Sequence, residues 1–239
     1  MKISLCIPMY NEKEIIVQTA QTLSQYMEAN FALDGYEIIF SDDGSRDGSA
    51  EKVKELNLPN VKVISYAENR GKGAAVREAV LASRGDLVMF TDADLAYGTD
   101  VVMTMVKALE NAPEASLAIG SRNLLKDGYS GYTATRKLAS KAYIKFLGIV
   151  GGFKLSDSQC GCKAYRGKEA RSIFSKCKVN GFAFDFETIL RAQKAGYSII
   201  EVPVKIVNHR DSKVKVFKDS LKMISDLHEI KQDIKKERE

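Results

Sequence analysis

Residues 86–94 read Asp-Leu-Val-Met-Phe-Thr-Asp-Ala-Asp, a short apolar run ending in two carboxylates one residue apart, Asp92 and Asp94. A run with β-branched and aromatic members predicts a buried strand of an α/β sheet. Ligands of open α/β sheets bind just beyond the carboxyl ends of such strands, where this pair falls. On an extended chain, residues two apart project to the same side. Carboxylates that close repel each other unless a cation lies between them. Oxygen ligands alone favour Mg2+ or Mn2+, ions commonly shared with a substrate's phosphates. The plain alternative is a polar strand end that caps the next helix, and a lone Asp-x-Asp does not separate the two.

Three other predicted strand ends carry polar loops. They are Pro8-Met9-Tyr10-Asn11-Glu12, the Ser-Asp-Asp-Gly-Ser-Arg-Asp-Gly-Ser run at 41–49, and Asn69-Arg70-Gly71-Lys72-Gly73-Ala74. Each alone fits a turn followed by a helix cap, with Asn11 as one such cap. Four consecutive ends at one edge can together supply ring contacts, ribose contacts, backbone amides and a metal site.

The elements that must position these loops alternate along residues 1–120. Strands are expected at Ile3–Ile7, Glu37–Ser41, Val61–Ser65, Leu87–Thr91 and Leu117–Ile119. Helices are expected between them at Glu12–Asn30, Gly48–Leu56, Ala74–Ser83 and Asp100–Glu110. That rhythm predicts an α/β class with right-handed crossovers and a mainly parallel central sheet with helices on both faces. After Arg122 the pattern changes to a loop, a helix from about Thr133 to Val150, a strand near Gly161–Tyr165 and a helix from Lys168. A helix from Phe184 to Ala195 and a strand over Ser198–Ile206 follow. Phe217, Leu221, Ile224, Leu227 and Ile234 then recur at helical spacing, which favours core packing over membrane or partner docking.

At 239 residues with no Pro/Gly/Ser linker, the chain reads as a single domain with a C-terminal amphipathic helix. The net charge of +5 is uneven: residues 122–145 hold six Lys/Arg against one Asp, and residues 205–222 hold six against two Asp. Two basic segments on a mildly acidic body suit an anionic ligand or a membrane surface more than a wholly nucleic-acid-binding protein, with solvated helix faces as the plain alternative. Lys137, Lys141 and Lys145 recur every four residues and form one cationic stripe. Cys6, Cys160, Cys162 and Cys177 have no framework spacing, so reduced thiols are expected. The N-terminus enters a strand at once, without signal-peptide character, and the longest apolar stretch, Ala142 to Phe153, is too short to span a bilayer. A cytoplasmic protein is expected, or one peripheral on the cytosolic face of a membrane.

The chain resembles the family 2 glycosyltransferases of the GT-A fold. The resemblance rests on Ile7-Pro8-Met9-Tyr10-Asn11-Glu12, Asp42-Asp43-Gly44-Ser45, Asn69-Arg70-Gly71-Lys72-Gly73 and Asp92-Ala93-Asp94. It continues through Gly120-Ser121-Arg122 and Asp157-Ser158-Gln159-Cys160-Gly161-Cys162-Lys163. Within the family it is most similar to the dolichyl- and polyprenyl-phosphate sugar synthases, nearest their glucosyl branch. The resemblance implies a GT-A domain over 1–213, with a nucleotide-sugar half at 1–122, an acceptor half at 123–213 and a tail at 214–239. It also implies an inverting, metal-dependent transfer of a hexose, glucose from UDP-glucose, to a polyprenyl or dolichyl phosphate.

By the same resemblance, Pro8, Tyr10, Asn11, Glu12, Asp42, Lys72, Asp92 and Ala93 would hold the nucleotide sugar, and Asp94 with Asp92 would hold Mg2+ or Mn2+. Arg122, Arg136, Gln159, Lys163, Ser212 and Lys213 would serve the acceptor and phosphates. On chemical grounds Asp157 is the candidate base if the acceptor is a hydroxyl, with ordering of the Gln159-to-Lys163 turn as its other role. Asp185 and Glu187 are expected to face the sugar or to cap a helix. The mannosyl synthases carry a glutamine where Ala96 stands, which weakens a GDP-mannose assignment and leaves a third protein ligand unassigned. A saccharide or other hydroxyl acceptor, or a non-catalytic nucleotide-binding subunit, are the rivals. A membrane-protein partner and a homo-oligomer stay open.

Overall fold

The structure is a computed structural model that describes the backbone of residues 1–209 and 216–237 and the side chains of 1–209 and 226–237. Strands run at Ile3–Met9 (β1), Tyr36–Asp42 (β2), Val61–Ser65 (β3), Leu87–Phe90 (β4), Leu117–Ser121 (β5), Lys163–Arg166 (β6) and Ile199–Pro203 (β7). Helices are Ile16–Asn30 (α1), Ser49–Glu55 (α2), Lys72–Leu81 (α3), Val101–Asn111 (α4), Ala134–Gly151 (α5), Gly167–Phe174 (α6), Phe184–Lys194 (α7) and Val216–Lys236 (α8). The α/β alternation matches the sequence pattern, with boundaries shifted by a few residues.

One sheet holds the strands in the order β3-β2-β1-β4-β6-β5-β7. β1, β2 and β4 are buried along their whole length. β4 is wholly apolar, as a strand covered by helices on both faces requires, and the buried Glu37 of β2 accepts from Ser4 of β1 at 2.5 Å. Ile3, Leu5, Ile7, Leu87 and Met89 pack with α1 and α4 on one face. Cys6, Val88 and Phe90 pack with α3, α5, α6, α7 and α8 on the other. Leu227 and Ile230 of α8 are buried in that second layer and Ile234 packs against it, so the described part of the tail is core-packed.

Two features of the topology position the site. The chain builds outward from β1 to β2 and β3, then returns to lay β4 on the other flank of β1. The crevice beyond the carboxyl ends of β1 and β4 is therefore the switch point, where open α/β sheets bind ligands. β6 is antiparallel between β4 and β5, with Lys163 opposite Phe90, so the start of β6 reaches this same edge.

Candidate active site

The first strand end does not cap a helix as expected. Asn11 is left-handed at φ 51, and its Oδ1 accepts from the Arg46 N–H at 2.9 Å. The Asn11, Glu12 and Lys13 N–H groups donate to Ser45, Ser49 and Asp47. The first two strand-end loops are thus laced together, and α1 starts only at Ile16 with no side-chain cap. Pro8 sits in β1 opposite Ser41, Tyr10 is exposed, and the nearly buried Asp42 accepts from the Ser45 N–H at 3.2 Å.

Asp43 was not singled out by sequence reasoning. Its carboxylate accepts from the Tyr66 hydroxyl at 2.5 Å and from Asn69 Nδ2, Arg70 N and Gly71 N, each at 2.8 Å. One buried acid therefore folds the third loop, and Arg70 lies over the Tyr66 ring at 3.7 Å. The available signal was the doublet itself, because strand alternation sends Asp42 and Asp43 to opposite sides. Gly71 has φ +110, and a Cβ there would lie 2.5 Å from the Asn180 carbonyl oxygen, so only glycine lets the chain pass. Lys72 then opens α3 with its ammonium 2.5 Å from Asp92 Oδ1.

Asp92 and Asp94 are not on an extended chain. β4 stops at Phe90, and the Leu95 N–H closes a turn onto the Asp92 carbonyl at 3.1 Å, with Leu95 left-handed. Thr19 of α1 donates to the Ala93 carbonyl at 2.7 Å and pins the turn from below. Both carboxylates still share one field. Burial, then the Asp92 charge, pushes the Asp94 carboxyl above its ordinary pKa despite the Ala96 N–H and Lys72. Burial alone would lower the Lys72 pKa, but Asp92 and Asp185 reverse this and hold its ammonium charged.

Among the described residues, no group of three or more His, Cys, Asp or Glu side chains forms a metal site. The Asp92/Asp94 pair still fits a divalent cation of the kind that takes few protein ligands and shares the rest with phosphate and water. Asp94 is a carboxylate short of positive charge, because Lys72 is already committed to Asp92.

The start of β6 closes the other wall. A Cβ on Gly161 would lie 2.4 Å from Asp92 Oδ2, so this glycine lets the backbone touch the carboxylate. Lys163, expected at a phosphate, is instead fully buried, with its ammonium 2.5 Å from Asp185 Oδ1 and 2.8 Å from the Cys160 carbonyl. Insertion of β6 between two strands turns this side chain into the interior. Glu187 is also internal, accepting from Lys178 N, Val179 N and Arg191 Nε. Among the described residues, Gln159 makes a local 3.5 Å contact with the Ser158 carbonyl. All four cysteines are free and buried, and burial followed by Asp157 raises the Cys160 thiol to about 11.

A second charged station follows β5. The Asp157 carboxylate, fully buried, accepts from Arg122 N at 3.0 Å, Nε at 2.6 Å and Nη2 at 2.8 Å. Burial alone would lower the Arg122 pKa, but these bonds hold it well above the ordinary value. Glu201 fixes the partner loop by accepting from Ser156 N, Ser156 Oγ and Asp157 N. Sequence reasoning missed Glu201, although an acid inside the Ile-Ile-Glu-Val-Pro strand is the kind of signal that marks such an anchor. The Arg122 guanidinium lies 4.8 Å from the Tyr129 ring, Tyr129 meets Tyr132 edge-on, and Arg136 lies 4.0 Å from Tyr132. Two tyrosines thus gather the two arginines into one stack.

The segment after β7 joins the stations. Ile206 N donates to the Gly128 carbonyl, Val207 N to the Ala96 carbonyl and Asn208 Nδ2 to the Leu95 carbonyl. Ser212 and Lys213 come directly after this strap and lie outside the described residues.

Solved structures share this architecture. Glucosyl-3-phosphoglycerate synthase from Mycobacterium tuberculosis, crystallised with Mn2+, UDP-glucose and phosphoglyceric acid, superposes with a TM-score of 0.71 at 20% identity, over 96% of this chain and 79% of that one. Mannosyl-3-phosphoglycerate synthase from Rubrobacter xylanophilus gives 0.69 at 17%, over 98% and 75%. At those identities the likeness is one of fold, the GT-A arrangement. Curated relatives are closer in sequence. Dolichyl-phosphate beta-glucosyltransferase from Homo sapiens is 31% identical over 95% of this chain and 74% of its own length. Dolichyl-phosphate beta-glucosyltransferase ALG5C from Trichomonas vaginalis is 31% identical over 94% and 69%. The family model described as glycosyl transferase family 2 matches residues 4–174. With most of its length inside that match, and the two charged stations at one sheet edge, the chain belongs to glycosyl transferase family 2 and is a glycosyltransferase.

Proposed function

We propose that the chain moves glucose from UDP-glucose to a polyprenyl phosphate, inverting the anomeric carbon. Residues 1–122 then serve as the donor half and 123–213 as the acceptor half. An acceptor phosphate oxygen forms the new bond to the anomeric carbon while the bond to the diphosphate breaks and its electron pair stays on the departing phosphate oxygen. Lys72, ordered by Asp92, would stabilise that charge as it develops. The first two strand-end loops, with Pro8, Tyr10, Asn11, Glu12 and Asp42, receive the nucleoside. A divalent cation held at Asp94 and Asp92 would add positive charge at the diphosphate. Arg122 and Arg136 hold the acceptor phosphate.

The observation that carries the choice of acceptor is the burial of Asp157 beneath Arg122. A hydroxyl acceptor must lose a proton to a base, and this carboxylate is already committed to three donors. A phosphate monoester, with its second pKa near ~6, is ionised at neutral pH and needs no base. Glucose and a prenyl phosphate are favoured by the similarity to dolichyl-phosphate beta-glucosyltransferases.

The test is transfer of labelled glucose from UDP-glucose to polyprenyl phosphate in detergent with Mn2+. Label should move to the organic phase. Label found only on a free saccharide would overturn the acceptor, and a melting shift with GDP-mannose but none with UDP-sugars would overturn the donor.

Gly161→Ala offers a second test. The added methyl should push the Asp92 carboxylate off Lys72 while leaving the fold intact, because what it meets is the tip of a side chain. Misplacement on the ångström scale can cost up to about 100-fold in turnover, so kcat/KM for the donor should fall by tens of fold with little change in Tm. A variant with unchanged kcat/KM would remove Asp92 from the donor site.

A further inference from the structure

α5 carries Arg136, Lys137, Lys141 and Lys145 and no acidic residue. Leu138 and Ile149 on it are 71% and 74% exposed, and Phe146 is 42% exposed. At the helical period these three fall within an arc of about 80°, with Lys145 and Lys141 on its border. A monomer surface seldom displays large apolar side chains in one line beside cations. Beside this face runs a groove of about 680 Å³, floored by Ile144, Phe153 and Leu155 and edged by Lys141, Lys145 and Lys154. Its lining includes Asn123 and Ser156, where Asn123 Nδ2 donates to the Ser156 carbonyl at 2.5 Å, and these adjoin Arg122 and Asp157 in the chain. The groove therefore leads from the apolar face toward the acceptor station.

We infer that α5 and this groove dock on the surface of an anionic lipid bilayer, with Leu138, Phe146 and Ile149 entering the acyl boundary and Lys141, Lys145 and Lys154 meeting the headgroups. Charge complementarity selects this occupant: a second copy would bring the same cations together, whereas anionic headgroups over acyl chains match cations bordering an apolar stripe. No helix among the described residues is long and apolar enough to cross a membrane, and the contact inferred for α5 is interfacial. Its purpose rests on the proposed lipid acceptor, since docking would present a membrane-held phosphate to Arg122. The binding itself does not depend on that reading.

The test is flotation of the full chain with vesicles of phosphatidylcholine alone or with 30 mol% phosphatidylglycerol (on the order of the anionic content that gives polybasic segments their membrane affinity), without donor or acceptor. Binding should require the anionic lipid and weaken with salt. Each basic residue near such a surface strengthens binding about fivefold, so Lys141→Glu/Lys145→Glu should lower partitioning by at least about tenfold. Leu138→Ser/Ile149→Ser should lower it at every salt concentration. A retained UDP and Mn2+ melting shift in both variants would show that the fold persists. Wild-type protein that fails to float, variants that float equally well, or a wild-type dimer that Leu138→Ser/Ile149→Ser dissociates would each overturn the docking inference. Glucose transfer in detergent micelles would still report separately on the acceptor.

Discussion

Asp94→Asn should lower kcat by about 10³-fold or more while leaving the free protein at least as stable as the parent. Metal-assisted stabilisation of a leaving phosphate contributes several kcal/mol, and roughly 4 kcal/mol corresponds to three decades of rate. Neutralising Asp94 relieves its repulsion with Asp92, and an asparagine oxygen can keep the 3.1 Å bond from the Ala96 N–H. The two effects therefore separate. Tm without ligands should stay level or rise, whereas the added shift with UDP and Mn2+ should vanish. A full-strength Mn2+-dependent shift in the variant would move the metal away from Asp94. Such a pattern is expected of a site that keeps like charges together for function at the expense of stability.

What the sequence made legible is what local chemistry controls. The apolar run of β4 ending in carboxylates could be read directly, because a strand buried on both faces must expose its first polar residues at its end. Four strand ends at one edge followed from β-α-β alternation alone. The turn at Asp92 was not legible, since Leu95 takes a left-handed conformation for which a leucine gives no warning. Asn11 looked like a helix cap because its residue type suits one, yet a backbone N–H 35 residues away claims its side chain. Lys163 looked like a phosphate ligand for a similar reason. Its burial depends on β6 entering antiparallel between β4 and β5, a pairing no window of local sequence encodes.

The acceptor station shows the same division between residue type and partner. Asp157 in a polar turn reads equally as a base or as a turn-ordering group when its neighbours are unknown. Arg122, 35 residues earlier, takes both its oxygens, and Glu201, 44 residues later, holds its backbone N–H. On the proposed function, the carboxylate would act on the substrate only through the guanidinium it orders. Residues brought together from three distant strand ends in this way yield their chemistry only after the topology is known.

Asp157→Ala should accordingly be among the most destabilising single changes in the chain. It would leave the buried Arg122 guanidinium without its carboxylate, and breaking a buried pair from one side costs about 3–5 kcal/mol. For a domain of this size that corresponds to a fall in Tm of roughly 10 °C. Replacing both partners, as in Arg122→Met/Asp157→Leu, should recover much of that loss, since no charge is left buried and unpaired. Activity should not return with it, because the cation facing the acceptor phosphate is gone. Asp157→Asn, which keeps the shape, separates positioning from proton transfer. If the carboxylate only orders Arg122, the variant raises KM for the acceptor and lowers kcat, while the acidic limb of the pH profile of kcat/KM keeps its midpoint. A lost or displaced acidic limb would instead identify Asp157 as the group that takes a proton, and the acceptor as a hydroxyl.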